Sequence, residues 1–314
     1  MTARLVSQKL VFADLAPLVG ATPGKGGTVS TQQRQTEAQL EARGELFPNV
    51  PLHVERLRAM NMDVSLDAKR VLAPEYLPVT ALSFRVVVDD GVATVRPLTL
   101  ALAGGAVKGE LGIDARRDIP AVRADLAGDN LDFGLFFKGS RFFDTTHGKI
   151  GARIHLRGAG RSLAQVMAVA NGDVELAMTG GTVSDLMVSL AGLQLADALI
   201  LSIQDHRIAI GCALGRLNFR NGTERFDRTL FDTRKSVLHV DGWVSLAQQA
   251  VDVRINADPK KFDLLDLNGP VEVKGKIRSP QVSIRPVLPI PHPVVGTAKD
   301  VPCAALTGGL MGAR

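Results

Sequence analysis

The sequence is poor in aromatic residues. They make up 4% of the 314 residues, although 46% of all residues are hydrophobic, so the interior has to be built mainly from aliphatic side chains. Surfaces that bind single-stranded nucleic acid use aromatic side chains for base stacking. The net charge of +5 forms no basic patch either, because basic and acidic residues are mixed in the charge-rich stretch Arg220–Lys235. We therefore expect no nucleic-acid partner.

Cysteine is also scarce, since Cys212 and Cys303 are the only two. Neither belongs to a C-x-x-C motif, which argues against a zinc site or a redox motif. The two residues could form one disulfide in an oxidising compartment, or they could remain separate thiols. The spacing alone leaves both possibilities open.

Long uninterrupted apolar runs are missing. A membrane-spanning helix needs about 20 predominantly apolar residues, and the nearest approach, Leu186–Ile203, is interrupted by Gln194 and Asp197. The apolar run near the N-terminus is broken by Asp14 and Pro17, which is a poor match to a signal peptide. The sequence thus shows neither an anchor nor an export signal.

Motifs for catalysis are missing as well. The stretch Gly20–Lys25 is one residue short of a phosphate-binding loop, and no G-x-S-x-G nucleophile motif is present. None of the six histidines has a carboxylate or a cysteine at metal-ligand spacing. We predict no catalytic residue, no metal site, no cofactor and no enzymatic activity.

What the sequence does contain is apolar residues at every second position, the pattern of half-buried β-strands. It is seen in Phe84–Val88 and in Leu98–Leu102, and charged residues often occupy the intervening positions. Other stretches of this kind are Ile154–Leu156, Val174–Met178, Leu238–Leu246, Val251–Ile255, Val271–Val273 and Val282–Ile284. The pattern predicts a mainly β fold whose antiparallel strands have one face in water.

Helical patterns are confined to one part of the chain. They predict a short helix at about residues 162–170 and a longer apolar helix at about 184–203, with a strand between them. The predicted organisation is a partial β segment and polar loop (1–52), a β-repeat region (53–160), the helix-containing insertion (161–222), a second β-repeat region (223–285) and a Pro-rich tail (286–314).

The two β-repeat regions share a weak internal repeat. A turn at Asp90-Gly91 is followed 18 residues later by Gly109, and a turn at Asn221-Gly222 is followed 20 residues later by Gly242. In both cases the later glycine lies in the middle of an alternating stretch. This predicts that one supersecondary unit is used twice.

Several motifs, in this order, resemble the C-terminal region of the AsmA family. The main one is the run Gly160-x-Ser162-Leu163-x-x-x-x-Ala168-x-x-Asn171-Gly172-x-x-x-Leu176-x-Met178-x-Gly180-Gly181. The other matching pieces are Asp14–Gly20, Ile210–Cys212, Phe231–Thr233, Gly242, Pro259–Lys261, Gly269–Gly275, Ser279-Pro280 and Val301–Cys303. The resemblance covers most of the chain.

The resemblance implies an elongated, twisted β-sheet of repeated strands with an open apolar groove. It also implies a periplasmic protein associated with the inner membrane, related to the bridge-like lipid-transfer proteins and to outer-membrane assembly. The motifs begin inside the family pattern, so we expect the chain to correspond to a C-terminal portion. A periplasmic location would favour a disulfide between Cys212 and Cys303. The pattern contributes no catalytic residues.

These expectations lead to a functional hypothesis. About a dozen apolar strand faces with only two helices to cover them would leave room for phospholipid acyl chains as partners, with protein partners unknown. The predicted acyl-contacting residues are Leu98, Leu100, Leu102, Leu238, Val240, Val244 and Leu246. The alternative is a structural or partner-binding β-module with a closed core, in which the same residues are ordinary packing.

Overall fold

A computed structural model describes residues 2–11, 35, 39, 42–52, 54–72, 78–136, 147–184, 207–234, 236–260, 270–284, 298, 299, 301 and 303. Every statement below about the structure concerns these residues. The predicted helix at about 184–203 falls outside them beyond Ser184, as does almost all of the Pro-rich tail.

The described residues form seventeen strands and three short helices. In chain order they are β1 (Thr2–Ser7), β2 (Leu10–Val11), α1 (Glu55–Ala59), β3 (Met62–Ala68), β4 (Val71–Leu72), β5 (Val79–Asp89), β6 (Val92–Leu102), β7 (Gly105–Asp114), β8 (Ala121–Asp132), α2 (Phe133–Phe136), β9 (Lys149–Ala159), α3 (Leu163–Ala168), β10 (Asn171–Thr179), β11 (Thr182–Ser184), β12 (Arg207–Phe219), β13 (Thr223–Thr233), β14 (Ser236–Ser245), β15 (Ala250–Pro259), β16 (Val271–Lys276) and β17 (Ser279–Ile284).

Fifteen of the strands belong to one sheet that does not close on itself. Its order is β1-β3-β5-β6-β7-β8-β9-β10-β12-β13-β14-β15-β16-β17, and β11 pairs with β12. The mainly β fold and the open sheet are therefore confirmed. One detail differs from a purely antiparallel sheet, because β1 pairs with β3 in parallel. A parallel pair needs a long connection rather than a hairpin, and more than fifty residues separate these two strands.

One face of this sheet is apolar and mainly aliphatic from β3 to β16. Residues directly opposite each other on neighbouring strands share a face, so the register defines rows of side chains across the sheet. One row, from β3 to β12, is Leu66, Phe84, Leu98, Gly109, Leu126, Ile154, Val174 and Leu217. Beyond β12 the same face continues through Ala213, Phe231, Leu238 and Ala257, and through Val240, Ile255 and Val271. We call this surface the aliphatic face.

The opposite face is lined with ionisable side chains, as the intervening charges predicted. Arg153, Glu175 and Arg216 form one row across β9, β10 and β12. Asp241, Arg254 and Glu272 form another across β14, β15 and β16. We call this surface the charged face. The period of two along each strand thus separates apolar from charged side chains over most of the sheet.

Part of the aliphatic face is covered by the chain itself. The small parallel pair of β2 and β4 contributes Leu10 and Val71 to a cluster built on Leu66, Leu82 and Leu98. Two further clusters lie along the sheet, one around Met178 and Ile210, the other around Ala170, Phe219 and Leu246. The aliphatic packing expected from the shortage of aromatic residues is therefore present.

The first predicted helix is present as α3. The Ser162 hydroxyl accepts a hydrogen bond from the Gln165 amide at 3.2 Å, which is the usual way for a serine to cap a helix N-terminus. Val166 is the buried residue of this helix. The helices α1 and α2 were not predicted, because five and four residues are too few to show a helical period.

The internal repeat is visible in the backbone. Both turns have two consecutive residues with positive φ, Asp90-Gly91 and Asn221-Gly222, as a two-residue hairpin turn requires. The two later glycines also match, with φ of 154° at Gly109 and 127° at Gly242. Each lies opposite a β-bulge in the preceding strand. The proposed division of the chain into five regions remains a prediction.

Replacing either repeat glycine by alanine should destabilise the fold. A Cβ at Gly109 would collide with the carbonyl oxygen of Asp125, and one at Gly242 with that of Asp252. Together with the positive φ, this should lower the free energy of unfolding by about 2–3 kcal/mol for each change, measured by urea denaturation. The control is Gly215→Ala, because the nearest atoms to its Cβ would be those of Thr229 at 3.9 Å. An equal loss in all three variants would contradict this explanation.

Candidate functional site

The seven predicted acyl-contacting residues belong to two separate patches of the aliphatic face. Leu98, Leu100 and Leu102 lie in β6 and pack in the cluster around Leu66 and Leu82. Leu238, Val240 and Val244 lie in β14, and Leu246 follows it directly. Six strands separate β6 from β14, which at a spacing of about 4.8 Å between strands puts the two patches about 34 Å apart along the sheet.

The residues that connect these patches were not among those predicted to contact lipid. They include Leu126 in β8, Ile154 in β9 and Val174 in β10, all on the same face by register. Their signal was already present in the alternation of Ile154–Leu156 and Val174–Met178. Extending the prediction to every alternating stretch would have found them.

The middle of the aliphatic face is not fully covered. Leu176 in β10 is 39% exposed, and its partners on both neighbouring strands are small, Ala152 on one side and Gly215 on the other. Leu176 therefore stands above its small neighbours, and its apolar surface faces water unless a ligand covers it. Lipid contact at any of these residues remains a prediction.

Ion pairs connect neighbouring strands on the charged face. Arg85 donates to Asp63 at 2.7 Å, and His155 Nδ1 lies 2.9 Å from Asp125 Oδ1. The hydrogen bond from Arg85 lowers the pKa of Asp63, and hydrogen bonds from Arg116 lower the pKa of Asp114 to about 2. These two carboxyl groups are therefore ionised at neutral pH, so this face is suited to water and not to hydrocarbon.

The charged face also carries a depression of about 490 Å³ between β14, β15 and β16. Its lining residues are Asp241, Gly242, Trp243, Asp252, Arg254, Asn256 and Glu272. Glu272 is almost fully buried and pairs with Arg254 at 3.2 Å and with Lys274 at 3.2 Å. This polar depression lies on the opposite side of the sheet from Val240 and Val244, so it does not belong to the predicted acyl-contacting surface.

Several motifs that carry the family resemblance meet at one edge of the sheet, where the strands β12 and β13 begin and end. Cys212 in β12 forms a disulfide with Cys303, with the two Cα atoms 5.8 Å apart. Asp232 in β13 lies directly opposite Cys212, and its carboxylate is 2.6 Å from the Lys260 ammonium. Both side chains of this ion pair are at most 10% exposed. We call this arrangement the disulfide junction; it attaches the C-terminal part of the chain to the middle of the sheet.

Within the described ranges, no group of three or more His, Cys, Asp and Glu residues is placed to hold a metal ion. In the same part of the chain, no helix has the length and hydropathy that a membrane crossing demands.

Comparison with known proteins gives a family match and one relative. The family model described as "AsmA family" matches residues 1–229, more than half of the chain. The chain is 27% identical over 282 residues to the "AsmA family protein YhjG" of Escherichia coli (strain K12), which covers 89% of this chain and 41% of that protein. The chain thus spans about two fifths of the length of this relative. No solved structure matches significantly.

Removing the charge of Asp232 should destabilise the disulfide junction. Asp232→Asn takes away the carboxylate that the buried Lys260 ammonium faces, and breaking a buried ion pair on one side costs about 3 kcal/mol. The control is Asp67→Asn, because the ion pair of Asp67 with Lys69 is largely exposed and should contribute less than about 0.5 kcal/mol. Urea denaturation of both variants measures the difference; equal effects would show that the Asp232 ion pair has no special role.

Proposed function

Because the chain belongs to the AsmA family, an envelope-associated family, we propose that it acts without catalysis, as an envelope module for phospholipid transfer or outer-membrane assembly. In this proposal the aliphatic face binds the acyl chains of phospholipids. The observation that carries it is the open sheet with one continuous aliphatic face, running from β3 to β16. The chain spans about two fifths of the length of its relative. Lipid transport by a full-length protein of that kind is therefore also a proposal.

The dimensions of the face suit acyl chains. Twelve strands lie between β3 and β16 inclusive, so at about 4.8 Å per spacing the face is about 53 Å long, measured along the sheet. An extended acyl chain lying across such a surface exchanges water for apolar contact along its whole length. Each buried CH₂ contributes about 0.8 kcal/mol, which gives substantial binding energy without any specific polar contact.

The charged face supports the same function in a different way. Its ionised carboxylates and their arginine partners keep one side of the sheet hydrated, so acyl chains are confined to the other side. A head group would remain at the edge of the sheet, where charged side chains and water are available. The excess of basic residues, a net charge of +5, favours anionic phospholipids over zwitterionic ones.

We infer a periplasmic location, with association to the inner membrane, from the family and from the disulfide. Cys212 is fully buried and bonded to Cys303, and such structural disulfides persist in oxidising compartments such as the periplasm.

A protein partner on the aliphatic face is the competing function. The closed core that this alternative assumed does not exist in the described part of the chain, because the sheet is open. The same surface could still bind another protein. Native mass spectrometry of the purified chain, released from mild detergent, separates the two cases: mass increments that match phospholipids support lipid binding, and a mass without any lipid argues for the alternative.

A charge placed on the aliphatic face should abolish lipid binding. Leu100→Asp puts a carboxylate among Leu82, Leu98 and Leu102, where an acyl chain could not lie without desolvating it. We expect at least a tenfold loss of bound phospholipid, which corresponds to about 1.4 kcal/mol. The control is Thr99→Asp, which adds the same charge one residue away on the opposite face, next to Lys108.

Both variants require a folding check by circular dichroism. If Leu100→Asp does not fold, Leu100→Thr tests the same position with a residue that suits a strand. Normal lipid binding by a folded Leu100 variant would show that this patch is not used.

The thiol state in cells tests the proposed location. If the protein is exported to the periplasm, Cys212 and Cys303 should be inaccessible to a maleimide reagent after acid quenching and denaturation, and accessible only after reduction. Two reactive thiols in protein from the native host would contradict the periplasmic location. A chain made in the cytosol of the same cells is the control, because thiols there are kept reduced.

A further inference from the structure

A short segment crosses one edge of the aliphatic face. Residues 44–52, which we call the rim strap, run along the ends of seven strands, from β16 back to β9. At one end Gly44 packs against Lys276 and Ser279. At the other end the Leu52 amide donates to the carbonyl of Arg161 at 2.7 Å. The strap therefore connects parts of the sheet that are not neighbours.

The middle of the rim strap is held by one side chain. Gln249 lies in the turn between β14 and β15, and its Oε1 accepts hydrogen bonds from the amides of Leu46 and Phe47, both at 2.6 Å. Gln249 is 7% exposed. Its own backbone carbonyl accepts from the Ile277 amide at 3.0 Å, so the residue that holds the strap is itself fixed to the neighbouring turn.

The far end of the rim strap is fixed at the start of α3. The Ser162 hydroxyl donates to Asn49 Oδ1 at 2.6 Å, and the Ala164 amide donates to the Pro48 carbonyl at 3.2 Å. Ser162 is 2% exposed. Because Ser162 is also the cap of α3, this end of the strap is tied to the connection between β9 and β10.

One side chain of the rim strap lies on the aliphatic face. Phe47 packs with Phe219, Leu246 and Val244 in the cluster that contains two of the predicted acyl-contacting residues. While the strap is in place, these residues contact Phe47. An acyl chain reaching this edge of the face would have to lie beside Phe47 or displace it.

The rim strap has little slack. The amide of Phe47 donates to Gln249 between β14 and β15, and the carbonyl of the next residue, Pro48, accepts from Ala164 between β9 and β10. Two attachments to distant parts of the strand order are therefore only one residue apart, so the sheet is curled at this edge. A strap of this length cannot stay attached at both ends if the strand ends spread apart. Its attachment therefore limits how wide this edge of the sheet can open.

We propose that the rim strap is a clasp that controls access of acyl chains to the aliphatic face, with Gln249 as the residue that positions it. This inference rests on the function proposed above and adds a means of regulating it. The clasp is held mainly by hydrogen bonds, each of which makes only a small net contribution to stability. Release at Gln249 moves Phe47 off the face and allows the edge to open, so that a bound acyl chain leaves faster.

Two substitutions at Gln249 distinguish a loss of strap attachment from a general loss of folding. Gln249→Met has a similar shape but loses the acceptor of both strap amides and the donor from Nε2 to the Phe47 carbonyl at 3.5 Å. Gln249→Glu loses only that longer donated hydrogen bond and keeps acceptor oxygens for the Leu46 and Phe47 amides. The methionine variant should open the clasp, and the glutamate variant should keep the strap attached through the two short hydrogen bonds.

Two measurements test the proposal. Hydrogen exchange of the Leu46 and Phe47 amides reports the attachment of the strap. The release of phosphatidylglycerol with a fluorescent acyl chain, into excess vesicles of phosphatidylethanolamine and phosphatidylglycerol, reports access to the face. For Gln249→Met we expect both the exchange of these amides and lipid release to be about tenfold faster. Gln249→Glu should stay within about twofold of the unaltered protein in both, because the two short hydrogen bonds from the Leu46 and Phe47 amides remain.

The outcomes distinguish this inference from the proposed function. Faster amide exchange with unchanged lipid release would overturn the clasp and leave lipid binding intact. Unchanged amide exchange in Gln249→Met would show that Gln249 does not hold the strap, and equal acceleration in both variants would also overturn the proposal. If the unaltered protein binds no lipid at all, the proposed function and the clasp are both rejected.

Discussion

The alternation of side chains along each strand is the constraint on which the rest of the structure depends. Successive residues of a strand point to opposite faces, so a period of two repeated over fifteen strands produces one aliphatic and one charged surface. The pattern survives irregularities. In β6 one extra residue interrupts the pairing between Val95 and Leu98, yet both pack in the same apolar cluster. In an open sheet, the separation of apolar from charged side chains leaves an apolar surface that has to be covered. The need to cover it explains why both edges of the sheet are attached to other parts of the chain.

The two edges of the sheet are held by different chemistry. At one edge, the disulfide junction ties β12 and β13 to the C-terminal part of the chain through a covalent bond and a buried ion pair. At the other edge, the rim strap is attached by hydrogen bonds to Gln249 and Ser162. A disulfide does not open on the timescale of ligand exchange, whereas hydrogen bonds do. Movement is therefore expected at the strap edge rather than at the disulfide edge.

Much of the fold could be predicted from sequence because its signal is local. The period of two identified the strands, the repeated turns identified Gly109 and Gly242 as equivalent, and the helical pattern at about residues 162–170 identified α3. Contacts between distant polar residues carry no such local signal. Nothing in the sequence near residue 46 indicates that two amides there bind Gln249, and the pairing of Asp232 with Lys260 depends on how β13, β14 and β15 are arranged. The predicted acyl-contacting set comes from two of the alternating stretches and contains no residue of β8, β9 or β10; it remains a prediction.

The most direct test of the account is to ask which face of the sheet an acyl chain contacts. A phospholipid with a photoreactive diazirine near the middle of its acyl chain can be bound to the purified protein, activated with light, and its attachment sites mapped by mass spectrometry. The account predicts attachment along the aliphatic face, at or beside Leu126, Ile154 and Leu176, and almost none at Arg153, Glu175 or Arg254 on the charged face. Attachment at similar levels on both faces, or none above a water-soluble diazirine control, would contradict it.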